Sequence, residues 1–158
     1  MTVLFCPANR DDGSEKDSLR NAKPVAEGGT GEFVVNVAVE AYERKVAGAA
    51  EPLAYGQSEF DLVGLTMAPS RVVRAPRVAE SPIAFECRTE QVVRTNPGQP
   101  AGGNIVIGRV GHVFVRDEIV NERYHIDQGF GAIGRMGGKG YCRTRERFEM
   151  PMGRAALG

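Results

Sequence analysis

The sequence contains no tryptophan and shows no excess of charge of either sign, since 20 Lys and Arg residues balance 20 Asp and Glu residues. A chain without excess positive charge lacks the general electrostatic attraction to nucleic acids and anionic membrane surfaces. No segment approaches the roughly 20 consecutive apolar residues that a membrane-spanning helix requires. The composition therefore predicts a soluble protein whose partners are neither nucleic acids nor membranes.

Cysteine is also scarce, because Cys6, Cys87 and Cys142 are the only three and none of them forms a C-x-x-C pair. An odd number at this spacing fits neither a disulfide framework nor a zinc site. The residues before the polar pair Asn9 and Arg10 are too few for the apolar core of a signal peptide. These absences predict a location in the reducing cytoplasm.

Several common catalytic motifs are missing. The sequence has no G-x-S-x-G nucleophile turn and no H-E-x-x-H zinc motif, and His112 and His125 are too isolated to form a metal site. The glycine-rich segment 134–140 resembles a phosphate-binding P-loop, but Ile133 and Gly140 stand where that motif requires Gly and Ser or Thr. We therefore expect no metal ion and no catalytic side chain of these classes.

What the sequence does contain is a series of β-rich segments, together with 20 glycines and 9 prolines that favour turns. The predicted strands are Thr2–Cys6, Phe33–Val37, Ile83–Val93 and Asn104–Val115. The first of these should lie at a sheet edge, and the last two should pair as a hairpin. Alternation in the third strand predicts that Cys87 is buried and that Glu86 faces solvent.

Two short helices are predicted between these strands. Asp17 is a suitable N-cap for the first, which Pro24 interrupts. The second covers Val39–Ala50, where apolar residues recur at helical spacing until Pro52 ends the pattern. Ser58 is expected to cap one further helical turn.

Two segments lack a clear helical or strand pattern. Pro69–Pro82 contains too many prolines for a long regular element and should be an ordered loop. The glycine-rich segment from Gly129 to Gly140 is predicted to be irregular. The expected architecture is a mainly β protein with short helices, forming one domain over residues 1–158 and consistent with a small antiparallel barrel.

The segment 9–18 is the best candidate for a binding site. It lies between the first strand and the first helix, where free backbone N–H groups can bind a phosphate. Arg10 and Lys16 add positive charge, and Ser18 adds a hydroxyl donor. The alternative is an ordinary solvated loop in which Asp17 serves only as the helix cap.

A wider set of segments matches the pattern of one protein family, in the same order and over nearly the whole chain. The matching segments are Arg10 with Gly13, Lys16–Asn21, Gly31–Asn36, Ser58–Phe60, Gly64–Thr66, Pro76–Pro82, Glu86-Cys87, Asn104–Gly108, and Arg135–Gly138 followed by Tyr141. Together they resemble the flavin reductase-like family of FMN-binding split β-barrels, which includes flavoredoxin. A pyridoxamine-phosphate-oxidase-like protein matches less well at the Lys-Asp-Ser and Gly-Glu-Phe-Val-Val-Asn segments.

The resemblance implies a Greek-key split β-barrel and a homodimer with the flavin near the subunit interface. It also implies FMN as cofactor and hydride transfer from NAD(P)H to the flavin. The family's Lys-Asp-Thr phosphate motif corresponds here to Lys16-Asp17-Ser18, and this is the loop that the residues themselves indicate. The implied FMN-binding residues are Asn9, Arg10, Lys16, Asp17, Ser18 and Arg135.

One difference from the family affects both fold and function. Family members normally carry a further segment before the strand that starts at Thr2, so the resemblance implies a barrel that is incomplete at its N-terminus. Such a barrel would have an unpaired edge beside Thr2–Cys6 and would lack part of the flavin pocket. The alternative function is therefore a shortened, non-enzymatic member that retains a dimerisation or binding surface.

Overall fold

The computed structural model of the protein describes residues 1–127 and 129–157. A long antiparallel hairpin forms its centre. The strands and helices in chain order are β1 (Thr2–Phe5), α1 (Asp17–Ala22), β2 (Glu32–Asn36), α2 (Glu43–Gly48), α3 (Glu59–Val63), β3 (Met67–Ala68), β4 (Arg77–Val78), β5 (Ile83–Arg94), β6 (Asn104–Val115), β7 (Ile133–Gly137) and β8 (Gly140–Arg143). Single turns of 3-10 helix lie at Val25–Glu27, Glu40–Tyr42, Asp117–Ile119 and Gly153–Leu157.

β5 and β6 are the two central strands of a four-stranded antiparallel sheet with the order β1-β6-β5-β2. β1 lies at one edge of this sheet, as the sequence predicts. Two shorter antiparallel pairs, β3 with β4 and β7 with β8, complete the described strands. The prediction of a mainly β protein with a few short helices is confirmed.

The core lies between one face of this sheet and α1. Its buried residues are Leu19, Ala22, Phe33, Cys87 and Val106. Phe33 of β2 lies opposite Cys87 of β5 in the sheet, and its ring contacts the ring of Phe5 edge to face at 5.0 Å between centroids. The prediction that Cys87 is buried is confirmed, and burial raises the pKa of its thiol to about 11. Packing of α1 on this face fixes where the loop between β1 and the helix ends.

Both predicted helices differ from expectation at their N-terminal ends. Lys16, with extended backbone, occupies the cap position of α1, and Asp17 is the first helical residue rather than the N-cap. The Asp17 carboxylate forms an ion pair with Arg10 instead. The helix predicted from Val39 begins only at Glu43, because the extended Val39 forms a β-bridge with Ala132.

Glu86 is the clearest correction to the sequence analysis. The sequence predicts this residue on the solvent side of its strand, but the side chain is only 2% exposed. Its carboxylate accepts the backbone N–H of Arg71 at 2.9 Å and that of Val72 at 2.7 Å. Because a buried carboxylate needs such donors, the bonds both satisfy Glu86 and hold the predicted loop Pro69–Pro82 across the sheet.

The glycine-rich segment near the C-terminus is more regular than predicted, because β7 and β8 pair within it. Its strands contain few β-branched or aromatic residues, so their pairing rests on backbone hydrogen bonds that leave little trace in the sequence pattern. The loop Pro69–Pro82 likewise contains the short strand β4.

None of the helices in residues 1–127 and 129–157 has the length and apolar character that a membrane span requires.

Gly108 of β6 allows the Phe33 ring to pack directly on the sheet, because a Cβ atom at this position would overlap that ring. We expect Gly108→Ala to lower the free energy of unfolding by about 1–3 kcal/mol, since the buried ring must move. Gly111→Ala in the same strand is a matched control, because the added Cβ would make an ordinary contact at 3.4 Å with Val72. Chemical denaturation measures the free energy of unfolding of both variants. Equal losses of this free energy in Gly108→Ala and Gly111→Ala would contradict the packing of Phe33 on Gly108.

Candidate functional site

A cavity of about 760 Å³ lies beside the loop that connects β1 to α1. This volume is within the range of small-molecule binding sites, roughly 300–1,000 Å³. One wall is this loop, and the other is the segment between α2 and α3. The lining residues are Asn9, Arg10, Asp11, Asp12, Lys16, Asp17, Ser18, Ala49, Ala50, Glu51, Pro52, Leu53 and Glu59.

The structure brings together five of the six residues proposed from the sequence to bind FMN. Asn9, Arg10, Lys16, Asp17 and Ser18 all line this cavity. The sixth, Arg135, is not among its lining residues. Arg135 lies on β7, where its guanidinium donates a hydrogen bond of 2.9 Å to the backbone carbonyl of Gly138.

The loop is closed by a tight turn over residues 10–14. The Arg10 N–H donates to the carbonyl of Ser14 at 2.8 Å, and the Gly13 N–H donates back to the carbonyl of Arg10 at 2.9 Å. Gly13 has a φ of +81°, and a Cβ atom there would overlap the carbonyl oxygen of Gly98. The turn therefore packs directly on the connection between β5 and β6.

Asn9 fixes the start of this loop to the same connection. Its side chain is buried, and its amide nitrogen donates to the carbonyl of Gln99 at 3.1 Å. Its amide oxygen accepts from the Asn104 side chain at 2.9 Å, and Asn104 also donates to the carbonyl of Pro7 at 3.0 Å. The Asn9 side chain is thus engaged in anchoring the loop.

Ion pairs organise the charged side chains next to the cavity. Arg10 bonds through one nitrogen to the Asp17 carboxylate at 2.9 Å and through the other to the carbonyl of Glu15 at 3.0 Å. The other oxygen of Asp17 is buried without a hydrogen bond and lies 3.5 Å from the Arg20 guanidinium. Arg10 therefore binds the residue on each side of Lys16, through the backbone of Glu15 and the side chain of Asp17.

Lys16 and Ser18 are different, because both are exposed and both line the cavity. No carboxylate among residues 1–127 and 129–157 lies within ion-pair distance of the Lys16 ammonium, and the Ser18 hydroxyl makes no hydrogen bond within that same part of the chain. The first backbone N–H to bond back within α1 is that of Leu19, to the carbonyl of Lys16 at 3.0 Å. An ammonium and a hydroxyl thus remain available for a ligand.

The rest of the cavity is acidic or apolar. Lys16 and Arg10 are its two cationic lining residues, and the carboxylates are Asp11, Asp12, Asp17, Glu51 and Glu59. Hydrogen bonds from Ser14 lower the pKa of Asp12, so this residue is ionised at neutral pH. The apolar residues Ala49, Ala50, Pro52 and Leu53 lie on the opposite wall.

Two contacts stabilise the opposite wall, and the sequence analysis missed the first of them. The Arg20 guanidinium of α1 stacks on the ring of Tyr55 at 3.7 Å, a cation–π contact between the helix and this wall. Ser58 accepts the N–H of Phe60 at 3.3 Å and caps α3, as predicted. Asp11 and Asp12 could have been found from their place in the candidate loop, but nothing in the local sequence shows that residues 49–53 face it.

A family model described as "Flavin reductase like domain" matches residues 2–134 of the chain. An uncharacterised protein of Deinococcus radiodurans is 35% identical over 152 residues, which cover 94% of this chain and 63% of that protein. An uncharacterised protein of Halalkalibacterium halodurans is 34% identical, with coverage of 89% and 66%. The chain thus spans slightly less than two thirds of the length of these relatives.

Solved structures show the same fold. Nitrilotriacetate monooxygenase component B from Bacillus cereus superposes with a TM-score of 0.81 at 29% identity, covering 94% of this chain and 71% of that one. A protein of Shewanella frigidimarina with a split barrel domain superposes with a TM-score of 0.76 at 20% identity, covering 95% of this chain and 71% of that one. Flavoredoxin of Desulfovibrio vulgaris superposes with a TM-score of 0.66 at 20% identity, covering 79% of this chain and 65% of that one. The predicted split-barrel fold is confirmed.

Proposed function

The chain belongs to the flavin reductase-like family, and we propose that it binds FMN and passes hydride from NADH or NADPH to this flavin. Its fold is that of flavin-related oxidoreductases. The observation that carries the proposal is the cavity lined by Lys16 and Ser18, in which the Lys16 ammonium has no carboxylate partner among the described residues.

The residues of this cavity fit a phosphomonoester. A phosphate dianion needs positive charge and hydrogen-bond donors, and we assign this role to the Lys16 ammonium and the Ser18 hydroxyl. Arg10, although paired with Asp17, adds a second positive charge on the same side of the cavity. Asn9 contributes by holding the loop in place, and Asp17 contributes by holding the Arg10 side chain. We assign Arg135 no role in this phosphate site, because it does not line the cavity of its own subunit.

The charge of the cavity favours FMN over ligands with additional phosphate groups. One uncompensated ammonium suits one phosphate, whereas a second phosphate would meet the carboxylates of Asp11, Asp12, Glu51 or Glu59. The aliphatic wall that includes Pro52 and Leu53 suits the uncharged part of the flavin. This distribution supports FMN rather than FAD.

Bound FMN would supply the redox chemistry, so the proposal requires no side chain to act as acid or base. The chain's own contribution is to bind the phosphate through Lys16 and Ser18 and to keep the loop rigid through Arg10 and Asn9.

We propose the cytoplasm as location, because Cys6, Cys87 and Cys142 are all free thiols in the structure.

The phosphate assignment is tested by Lys16→Ala. Loss of a charged hydrogen bond costs about 1.5–3 kcal/mol, so we expect FMN to bind about 10- to 100-fold more weakly. Riboflavin lacks the phosphate, and its affinity should change by less than about twofold. Flavin fluorescence titration measures both, with Lys139→Ala in the exposed turn between β7 and β8 as the control. Equal losses for the two flavins would refute the assignment.

Hydride transfer is tested by following the absorbance of NADH and NADPH with the purified protein and added FMN. We expect oxidation of at least one nucleotide that depends on both protein and FMN, because a bound flavin accepts hydride directly. Tight FMN binding without such oxidation would contradict the enzymatic proposal. That result would favour the alternative, a non-enzymatic member that retains only a binding surface.

We also propose that the protein is a homodimer, as the family resemblance implies. The sheet face opposite the core carries an apolar stripe formed by Leu4 of β1 with Ile105, Ile107 and Val93 of the central hairpin. Leu4 is 62% exposed and Val93 is 37% exposed. An apolar stripe beside an open edge strand favours burial against a second copy of the chain.

The dimer proposal predicts that light scattering finds the mass of two chains. Leu4→Glu should shift the protein toward the monomer, because a carboxylate in the apolar interface would lose its hydration. Val25→Glu is the matched control, since Val25 is 70% exposed and lies in the 3-10 turn after α1, away from the stripe. A wild-type monomer at micromolar concentration would contradict the proposal.

A further inference from the structure

The proposed phosphate loop carries an acidic residue on each side of Lys16, which has no ion-pair partner in the part of the chain that the structure describes. Lys16 lies between Glu15 and Asp17, which by charge alone would compete with a phosphate for the Lys16 ammonium. Neither carboxylate does so in the structure. Each is paired with two other cations, and these cations come from separate parts of the fold.

Glu15 is held by Lys23, which directly follows α1, and by Arg94 at the end of β5. One carboxylate oxygen lies 2.7 Å from the Lys23 ammonium, and the other lies 3.1 Å from the Arg94 guanidinium. Burial alone would raise the pKa of Glu15, but the hydrogen bonds from Lys23 and Arg94 lower it below its usual value. Glu15 is therefore ionised at neutral pH, and its charge is directed away from the cavity.

Arg94 is the only one of these cations that belongs to the central hairpin. Its guanidinium bonds to Glu15 and also to Glu27 in the 3-10 turn after α1, and its side chain is 25% exposed. Arg94 lies opposite Asn104 in the β5–β6 register, and Asn104 holds Asn9. The end of one hairpin thus holds the loop on both sides of its tight turn, before it through Asn9 and after it through Glu15.

We propose that Arg94 is a positioning residue for the phosphate site, which binds Glu15 to the end of β5 and so leaves the Lys16 ammonium free for the phosphate of FMN. The inference rests on the function proposed above, and it assigns a role to residues outside the cavity. Without Arg94, the carboxylate of Glu15, the residue next to Lys16 in the chain, keeps only Lys23 of its two cationic partners. The loop also loses the bond that holds it to the hairpin after its tight turn, while the Asn9 contacts before the turn remain. A misplaced binding group weakens a ligand contact strongly.

Arg94→Met tests this role, because methionine keeps an apolar stem but removes the guanidinium. We expect the affinity for FMN to fall about tenfold and the affinity for riboflavin to change by less than about twofold. A residue that only stabilised the fold would weaken both flavins alike. Hydrogen exchange of the ligand-free protein gives a second readout, with faster exchange expected at the amides of residues 14–18.

Two further variants sharpen the test. Glu27→Gln removes the other partner of Arg94 but leaves its pair with Glu15, so the ratio of FMN to riboflavin affinity should stay at the wild-type value. In Arg94→Lys the ammonium still provides a positive charge for Glu15, but it lacks the planar guanidinium that bonds to both Glu15 and Glu27. We therefore expect the affinity for FMN to fall by only about two- to threefold. Arg94→Lys also carries the test if Arg94→Met does not fold.

The possible outcomes separate this inference from the function on which it rests. A wild-type protein that prefers FMN to riboflavin, together with an unchanged ratio in Arg94→Met and Arg94→Lys, would overturn the role of Arg94 and leave the phosphate site in place. If the wild-type protein showed no preference for FMN over riboflavin, both the phosphate site and the role of Arg94 would be overturned. A selective loss for FMN in the Arg94 variants, absent in Glu27→Gln, is the result we expect.

Discussion

The arrangement of the candidate site depends on the end of the β5–β6 hairpin, which holds the loop between β1 and α1 in place. Several contacts make this connection: Asn9 bonds to Asn104 and to the carbonyl of Gln99, the carbonyl of Gly98 packs against Gly13, and Arg94 binds Glu15. The loop has little apolar surface of its own, so its conformation depends on these polar and steric contacts. The same hairpin forms the core face on which α1 packs. One element thus sets the position of both ends of the loop.

The electrostatics of the site follow from that arrangement. The two acidic neighbours of Lys16 are each paired with cations outside the loop or at its start, and Lys16 itself pairs with no carboxylate of the described residues. Around it, the cavity carries an acidic rim and an aliphatic wall. Binding energy for an anion is therefore concentrated at one point, and the remaining surface disfavours further negative charge. A ligand with one phosphate and an uncharged body suits this distribution.

The sequence predicted the parts of the fold that local pattern controls. The hairpin Ile83–Val93 with Asn104–Val115 was evident because apolar and polar residues alternate in the first strand and half of the residues in the second are Val or Ile. The candidate loop was evident because Arg10, Lys16 and Ser18 lie close together in the chain. The burial of Glu86 was missed, because its donors belong to a loop 14–15 residues away and alternation alone places this residue in solvent. The wall at residues 49–53 was missed for the same reason, since only tertiary packing brings it to the loop.

A crystal structure of the protein with FMN tests the central claim most directly. If the loop is a phosphate site, a phosphate oxygen of FMN lies about 3 Å from both the Lys16 ammonium and the Ser18 hydroxyl, with the Asn9 and Glu15 contacts unchanged. A flavin whose phosphate is bound elsewhere, with Lys16 in solvent, would contradict the claim.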